Sequence, residues 1–118
     1  MKGPKMITTN RNGNYPGETD IYTIIETHTE DGQLVSVLYA NPETGQIMAI
    51  ETQPEFQGEG HARGLITYAI DNGIDLLHSP VWSCTDEGAA FAEAVTEIDV
   101  IDDEDAYGWE EYSQLLVA

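Results

Sequence analysis

The sequence predicts a mixed α+β domain: an antiparallel meander followed by a β-α-β-α run. Three observations carry this. Three β-branched and aromatic runs in the first half are separated by turn-forming Asp-Gly and Asn-Pro-Glu-Thr-Gly segments. After Pro54 the apolar spacing changes from a strand-like to a helical period. The length of 118 residues, with 41% hydrophobic residues, fits one domain with its own core and leaves no room for two.

Residues 1–20 are rich in Gly, Asn, Pro and Thr and read as a flexible lead-in to a domain spanning 21–118. Ile21–His28 is a strand by composition, and Gln33–Ala40 is a second. Between them Asp31-Gly32 supplies the positive φ that a tight hairpin turn needs. Asn41–Gly45 is the next turn and Gln46–Thr52 the third strand. Ala62, Leu65, Ile66, Ala69 and Ile70 form one helical stripe, closed at Asn72-Gly73 by a glycine suited to the left-handed residue after a helix. Ile74–His78 reads as a fourth, parallel strand, reached by a helical crossover and stopped by Pro80. Thr85-Asp86-Glu87 is an N-cap with acids in the first turn, opening a second helix striped by Ala90, Phe91, Ala94, Val95 and Ile98. The core is thus expected within 21–98, followed by an acidic C-terminal segment, 99–118. There Val100-Ile101 suits a short strand, and Tyr107, Trp109, Tyr112, Leu115, Leu116 and Val117 are apolar enough to pack back onto the sheet.

Charge narrows the function classes. Asp and Glu total 22 against 4 Lys and Arg, a formal charge of −18. Thirteen of those acids and no base fall in 64–118. Direct binding of nucleic acid or of an anionic membrane surface needs clustered Lys and Arg, and none are present. What fits is solubility or high-salt adaptation, attraction of a cationic substrate or basic protein, or imitation of nucleic acid toward a DNA-binding partner. The single Cys84 closes no intramolecular disulfide, which suits a reducing cytoplasm. No apolar stretch has the length of a membrane helix, and no apolar segment follows the basic N-terminus as a secretory signal requires. No metal site is expected.

The chemistry is concentrated in Glu51–Leu65, where a strand enters a glycine-containing turn that opens a helix. A helix start offers unpaired N–H groups and a partial positive charge. Gly58, Gly60 and Ala62 are small enough to let an anion approach those amides without any basic side chain. An ordinary strand-to-helix turn with glycines for geometry is the alternative reading of the same spacing.

Gln57-Gly58-Glu59-Gly60-His61-Ala62, preceded by Pro54-Glu55-Phe56, resembles motif A (Q/R-x-x-G-x-G/A) of the GNAT N-acetyltransferase superfamily. His78-Ser79-Pro80 followed by Gly88–Ala92 is similar to the strand end and next helix of short phage and bacterial members, and the resemblance covers Ile21 to Val95. It implies a GNAT-like mixed sheet with a splayed strand pair that admits the pantetheine arm of acetyl-CoA as cosubstrate. It places the cofactor's pyrophosphate on the turn and helix start formed by Gln57, Gly58, Gly60, His61, Ala62 and Arg63. It implies transfer of an acetyl group to an amine, here a cationic acceptor drawn by the acidic surface. For the chemical roles, Glu51 is the candidate general base, His78 a proton shuttle, and Ser79 or Cys84 the acid for the leaving thiolate. A non-catalytic GNAT-like protein that engages a basic or nucleic-acid-binding partner through its acids is the second reading, and a homodimer is a further partner class.

Overall fold

A computed structural model describes residues 5–116 of the chain. Four strands, β1 (Met6–Asn14), β2 (Ile21–Thr29), β3 (Leu34–Ala40) and β4 (Ile47–Thr52), form one antiparallel sheet in sequence order. Three α-helices follow: α1 (His61–Asp71), α2 (Asp86–Ala94) and α3 (Trp109–Leu115). The α+β class and the meander of the first half agree with the sequence reading.

The expected flexible lead-in over 1–20 is corrected. Met6–Asn14 is a nine-residue strand paired with the whole of β2, from Met6 opposite Thr29 to Asn14 opposite Ile21. Its composition is poor for a strand, so its conformation comes from the partner edge rather than from propensity. Thr8 and Thr27 hydroxyls meet at 2.8 Å, and Arg11 Nε donates to Glu26 Oε1 at 2.8 Å. Residues 1–4 lie outside the described residues.

Alternation along β2 and β3 sends side chains to two faces. Ile25, Leu38 and Ala40, with Ile47, join Leu65, Ile66 and Ala69 of α1, and Leu76 and Val95, in the main core. Leu65 and Ile66 are fully buried, and burial of each such side chain stabilises by about 1.5–3 kcal/mol. Ile24, Val37 and Tyr39 form a smaller cluster on the opposite face, flanked by Tyr15, Tyr22, Leu34 and Ala49. Helix α1 ends as predicted. Gly73 takes φ 69°, its N–H bonds to Ile70 O, and the Ile74 N–H bonds to Ala69 O, the paired bonds of a Schellman ending.

The predicted fourth strand, Ile74–His78, contracts to two single bridges. Leu77 lies parallel to Gln46, with Ile47 N–H donating to Leu77 O at 2.8 Å and Leu77 N–H to Gly45 O at 2.9 Å. One residue later His78 has turned to a different partner, Val100, which is all that forms of the short strand expected at Val100-Ile101. Gly45 makes this docking close: at φ 78° it has the left-handed conformation, and a Cβ there would run into the Asp75 carbonyl oxygen.

Helix α2 starts where the N-cap predicts, Thr85 Oγ1 accepting from the Gly88 N–H at 3.1 Å. Of its predicted inward stripe, Phe91, Val95 and Ile98 do pack on the main core. Ala90 and Ala94 are exposed, while Gly88, Phe91 and Ala92 are half-buried and Val95 is buried. The C-terminal segment folds back on the sheet only in part: Ile101 and Ala106 are buried, the Tyr107 N–H donates to Gln46 Oε1 at 2.8 Å, and Tyr107 lines a cavity with Tyr22 and Tyr39. Tyr107, Leu115 and Leu116 are exposed. Trp109 and Tyr112 pack on Trp82, the Trp82 and Tyr112 rings stacked at 4.4 Å and 8°. Val117 lies outside the described residues. No described helix is long and apolar enough to cross a membrane.

Candidate active-site cleft

Past Ile47 the outer edge of β4 has no strand beside it among the described residues. The chain from His78 onward diverges, and the intervening space is a cleft of about 700 Å³, within the range of small-molecule sites. One wall is Ile47–Thr52, one end is Gln57 and Ala62 at the start of α1, and the far wall is the Ser83–Thr85 turn with Gly88, Phe91 and Ala92 of α2. A bulge shapes the β4 wall. Tyr39 pairs with Ala49 but Ala40 with Ile47, so Met48 is an extra residue that bends the strand where it borders the cleft.

The helix start is open above its glycines. Gly58 and Gly60 have φ of 79° and 84°, which only glycine adopts easily, and a Cβ on either would meet nothing within 4 Å, so the space above them is open. Gly60 is the N-cap of α1, and no side chain caps the helix. Acids occupy the first turns of α2 (Asp86, Glu87) and α3 (Glu110, Glu111), yet none is in the first turn of α1. Among the three helices this start alone has no acid in its first turn, the nearest carboxylate in sequence being that of Glu59, one residue before the cap, on His61.

The predicted residues divide. Glu51, Gln57, Ala62, His78 and Ser79 all line the cleft. Glu51 is exposed, and its Oε2 accepts from the Tyr15 hydroxyl at 3.0 Å. Gln57 turns its side-chain amide back to Thr52 O at 3.1 Å, pinning the turn to the end of β4. His78 is 3% exposed, with Nε2 2.6 Å from the Val95 carbonyl. A carbonyl only accepts, so Nε2 carries the hydrogen, and that nitrogen ties the strand end to the end of α2 instead of moving protons in the cleft. Ser79 Oγ accepts from Gln46 Nε2 at 3.0 Å and donates to Ile47 O at 2.5 Å. Its one proton is therefore committed to the junction of β4 with the Leu77 bridge.

Gly58, Gly60, His61 and Arg63 stand off the cleft lining. His61 is held by Glu59 Oε1 at 3.0 Å and lies edge-on to Phe56. Arg63 makes a two-pronged pair with Glu97, at 2.8 and 2.7 Å. Its guanidinium holds the Glu97 carboxyl below the usual carboxylate range. Cys84 does reach the cleft; its Sγ donates to Ser79 O at 3.4 Å, and burial pushes the thiol pKa up, keeping the proton on sulfur. The Tyr15–Glu51 bond was not legible in the sequence, since Tyr15 fell in the segment read as a lead-in. No family model, curated protein or solved structure matches the chain.

Proposed function

We propose that the chain is an acyl-CoA-dependent N-acyltransferase of GNAT type, acting on an amine. One observation carries the reading: the cleft along the unpaired edge of β4 ends at Gln57 and Ala62, at the start of α1, which no side chain caps. The divergence of β4 from the chain after Leu77 supports the reading, since such a fold needs two chain segments that part beside the cofactor. The amides at 60–63 would receive the cosubstrate's diphosphate, and the β4 edge would pair with the amides of its pantetheine arm, as an added strand pairs.

The chain's own groups cover the remaining chemistry. Glu51, directly or through one water, removes a proton from the attacking ammonium. The amine nitrogen bonds to the acyl carbon as the carbon–sulfur bond breaks, and the nitrogen then gives its second proton to solvent, leaving the neutral amide. The departing thiolate takes a proton from the Cys84 thiol, which solvent replenishes. His78 and Ser79 are positioning residues in this scheme, holding the walls rather than exchanging protons.

The second reading is a non-catalytic acidic protein that binds a basic partner. It is favoured by the Arg63–Glu97 pair, which commits the arginine at the start of α1 to a carboxylate. Calorimetric titration with acetyl-CoA separates the two: micromolar binding supports the transferase, and no binding leaves the binding protein.

A further inference from the structure

The face of the sheet opposite α1 carries a second cavity, of about 680 Å³, that the acyl-transfer scheme does not use. Its walls are aromatic and acidic: Tyr15, Tyr22, Tyr39 and Tyr107, with Glu18 and Asp20. Tyr39 sits between two rings set nearly across it, Tyr15 at 4.9 Å and 64° and Tyr22 at 6.2 Å and 80°. The tyrosine hydroxyls orient the acids. Tyr22 donates to Glu18 Oε1 at 2.6 Å and Tyr15 to Glu51 Oε2 at 3.0 Å, leaving the other oxygen of each carboxylate for a further donor. No Lys, Arg or His lines the cavity. Arg11, opposite Ile24 on the adjoining strand, already has its guanidinium on Glu26.

We propose that this tyrosine basin binds the ammonium group of a small aliphatic amine. Electron-rich ring faces attract a cation at about 6 Å, and carboxylates supply acceptors for its hydrogens. The Tyr15 and Tyr22 phenols are held neutral above the usual phenol range, by their hydrogen bonds to Glu51 and Glu18. The basin also adjoins the cleft: Met48 and Ala49, at the β4 bulge, line both cavities. Glu51 spans the same boundary, lining the cleft while bonded to the basin's Tyr15. An amine held in the basin lies against Tyr15, whose hydroxyl bonds the carboxylate that would deprotonate it, so we assign the basin as the acceptor subsite; this last assignment rests on the acyltransferase reading.

The test is a titration of the intact chain with n-butylammonium chloride at fixed ionic strength, followed by backbone amide shifts, with 1-butanol as the uncharged control. Saturable shifts at Tyr22, Tyr39, Met48 and Ala49, absent with butanol and weakened about tenfold in Tyr22→Leu and in Glu18→Gln, support the site. Glu18 is exposed, so Glu18→Gln carries the test even if Tyr22→Leu does not fold. Non-saturating shifts spread over Asp102–Asp105 and α3, or shifts untouched by both substitutions, overturn it. A parallel titration with CoA separates the two proposals. CoA binding without butylammonium binding removes the basin and leaves the transferase. Butylammonium in the basin without CoA binding keeps the amine site and removes its role as acceptor subsite.

Discussion

Substitution of Ala62 by Asp separates the fold from the function, because the two respond in opposite directions. Ala62 is the second residue of α1 and lines the cleft. A carboxylate in the first turn of a helix gains about 0.3–1 kcal/mol from the axial dipole, and α1 has no acid there now. Thermal stability should hold or rise by a few degrees. For a bound diphosphate the sign reverses. A new negative charge about 5 Å from one phosphate charge, at an effective dielectric of about 20, costs about 3 kcal/mol. That weakens CoA by more than about a hundredfold. Ala62→Asn, of similar shape and uncharged, should weaken it only a few-fold. Calorimetry of both variants with CoA, beside their melting curves, reads the two effects separately. If the Asp variant binds CoA within about threefold of the parent, the helix start is not the diphosphate site and the electrostatic argument fails.

Other outcomes follow from the same structure. Gly45→Ala combines a left-handed backbone with a clash against the Asp75 carbonyl, so it should cost about 3 kcal/mol, or about 12 °C in melting temperature; a loss under about 3 °C would mean the Leu77 bridge is not held this closely. Glu97→Gln releases Arg63, and CoA affinity should rise about threefold or more; an unchanged or lower CoA affinity would show that Arg63 does not reach the cosubstrate's phosphates. The Tyr22 phenol is pushed up to about 12 by its hydrogen bond to Glu18 and by burial. Its neutral form is the one the fold favours, so this contribution to stability is complete below pH 10 and is lost as pH rises toward 12. Phenolate absorbance should show a late step in the folded chain that Tyr22→Phe removes; a titration complete near pH 10 would contradict the Glu18 contact.

The elements that local pattern specifies were legible. Strands β2 to β4, helix α1 with its Gly73 ending, and the Thr85 cap of α2 stand within a residue or so of their predicted places. Each has its cause in nearby residues: alternation, a helical stripe, a turn glycine or a hydroxyl cap. What was not legible depends on partners distant in sequence. The Thr- and Asn-rich β1 becomes a strand only because β2 offers an edge. The segment Ile74–His78 has a strand's composition, but the chain turns away after Leu77 and leaves single bridges. Of the candidate site, Glu51, Gln57, Ala62, His78 and Ser79 line one cleft, while Gly58, Gly60, His61 and Arg63 lie outside its lining. Their hydrogen bonds could not be read from spacing: His78 is committed to Val95, Ser79 to Ile47 and Arg63 to Glu97. The tyrosine basin left no local trace, because Tyr15, Tyr22, Tyr39 and Tyr107 come from four separate parts of the chain.

The central claim is that main-chain N–H groups at the start of α1 receive an anionic cosubstrate that lies along β4. Amide shifts of the labelled chain titrated with CoA test it most directly. The account predicts saturable binding with the largest shifts at Gly58–Gly64 and along Met48–Thr52. No saturable shift in either segment, at CoA concentrations up to the millimolar range, would contradict it.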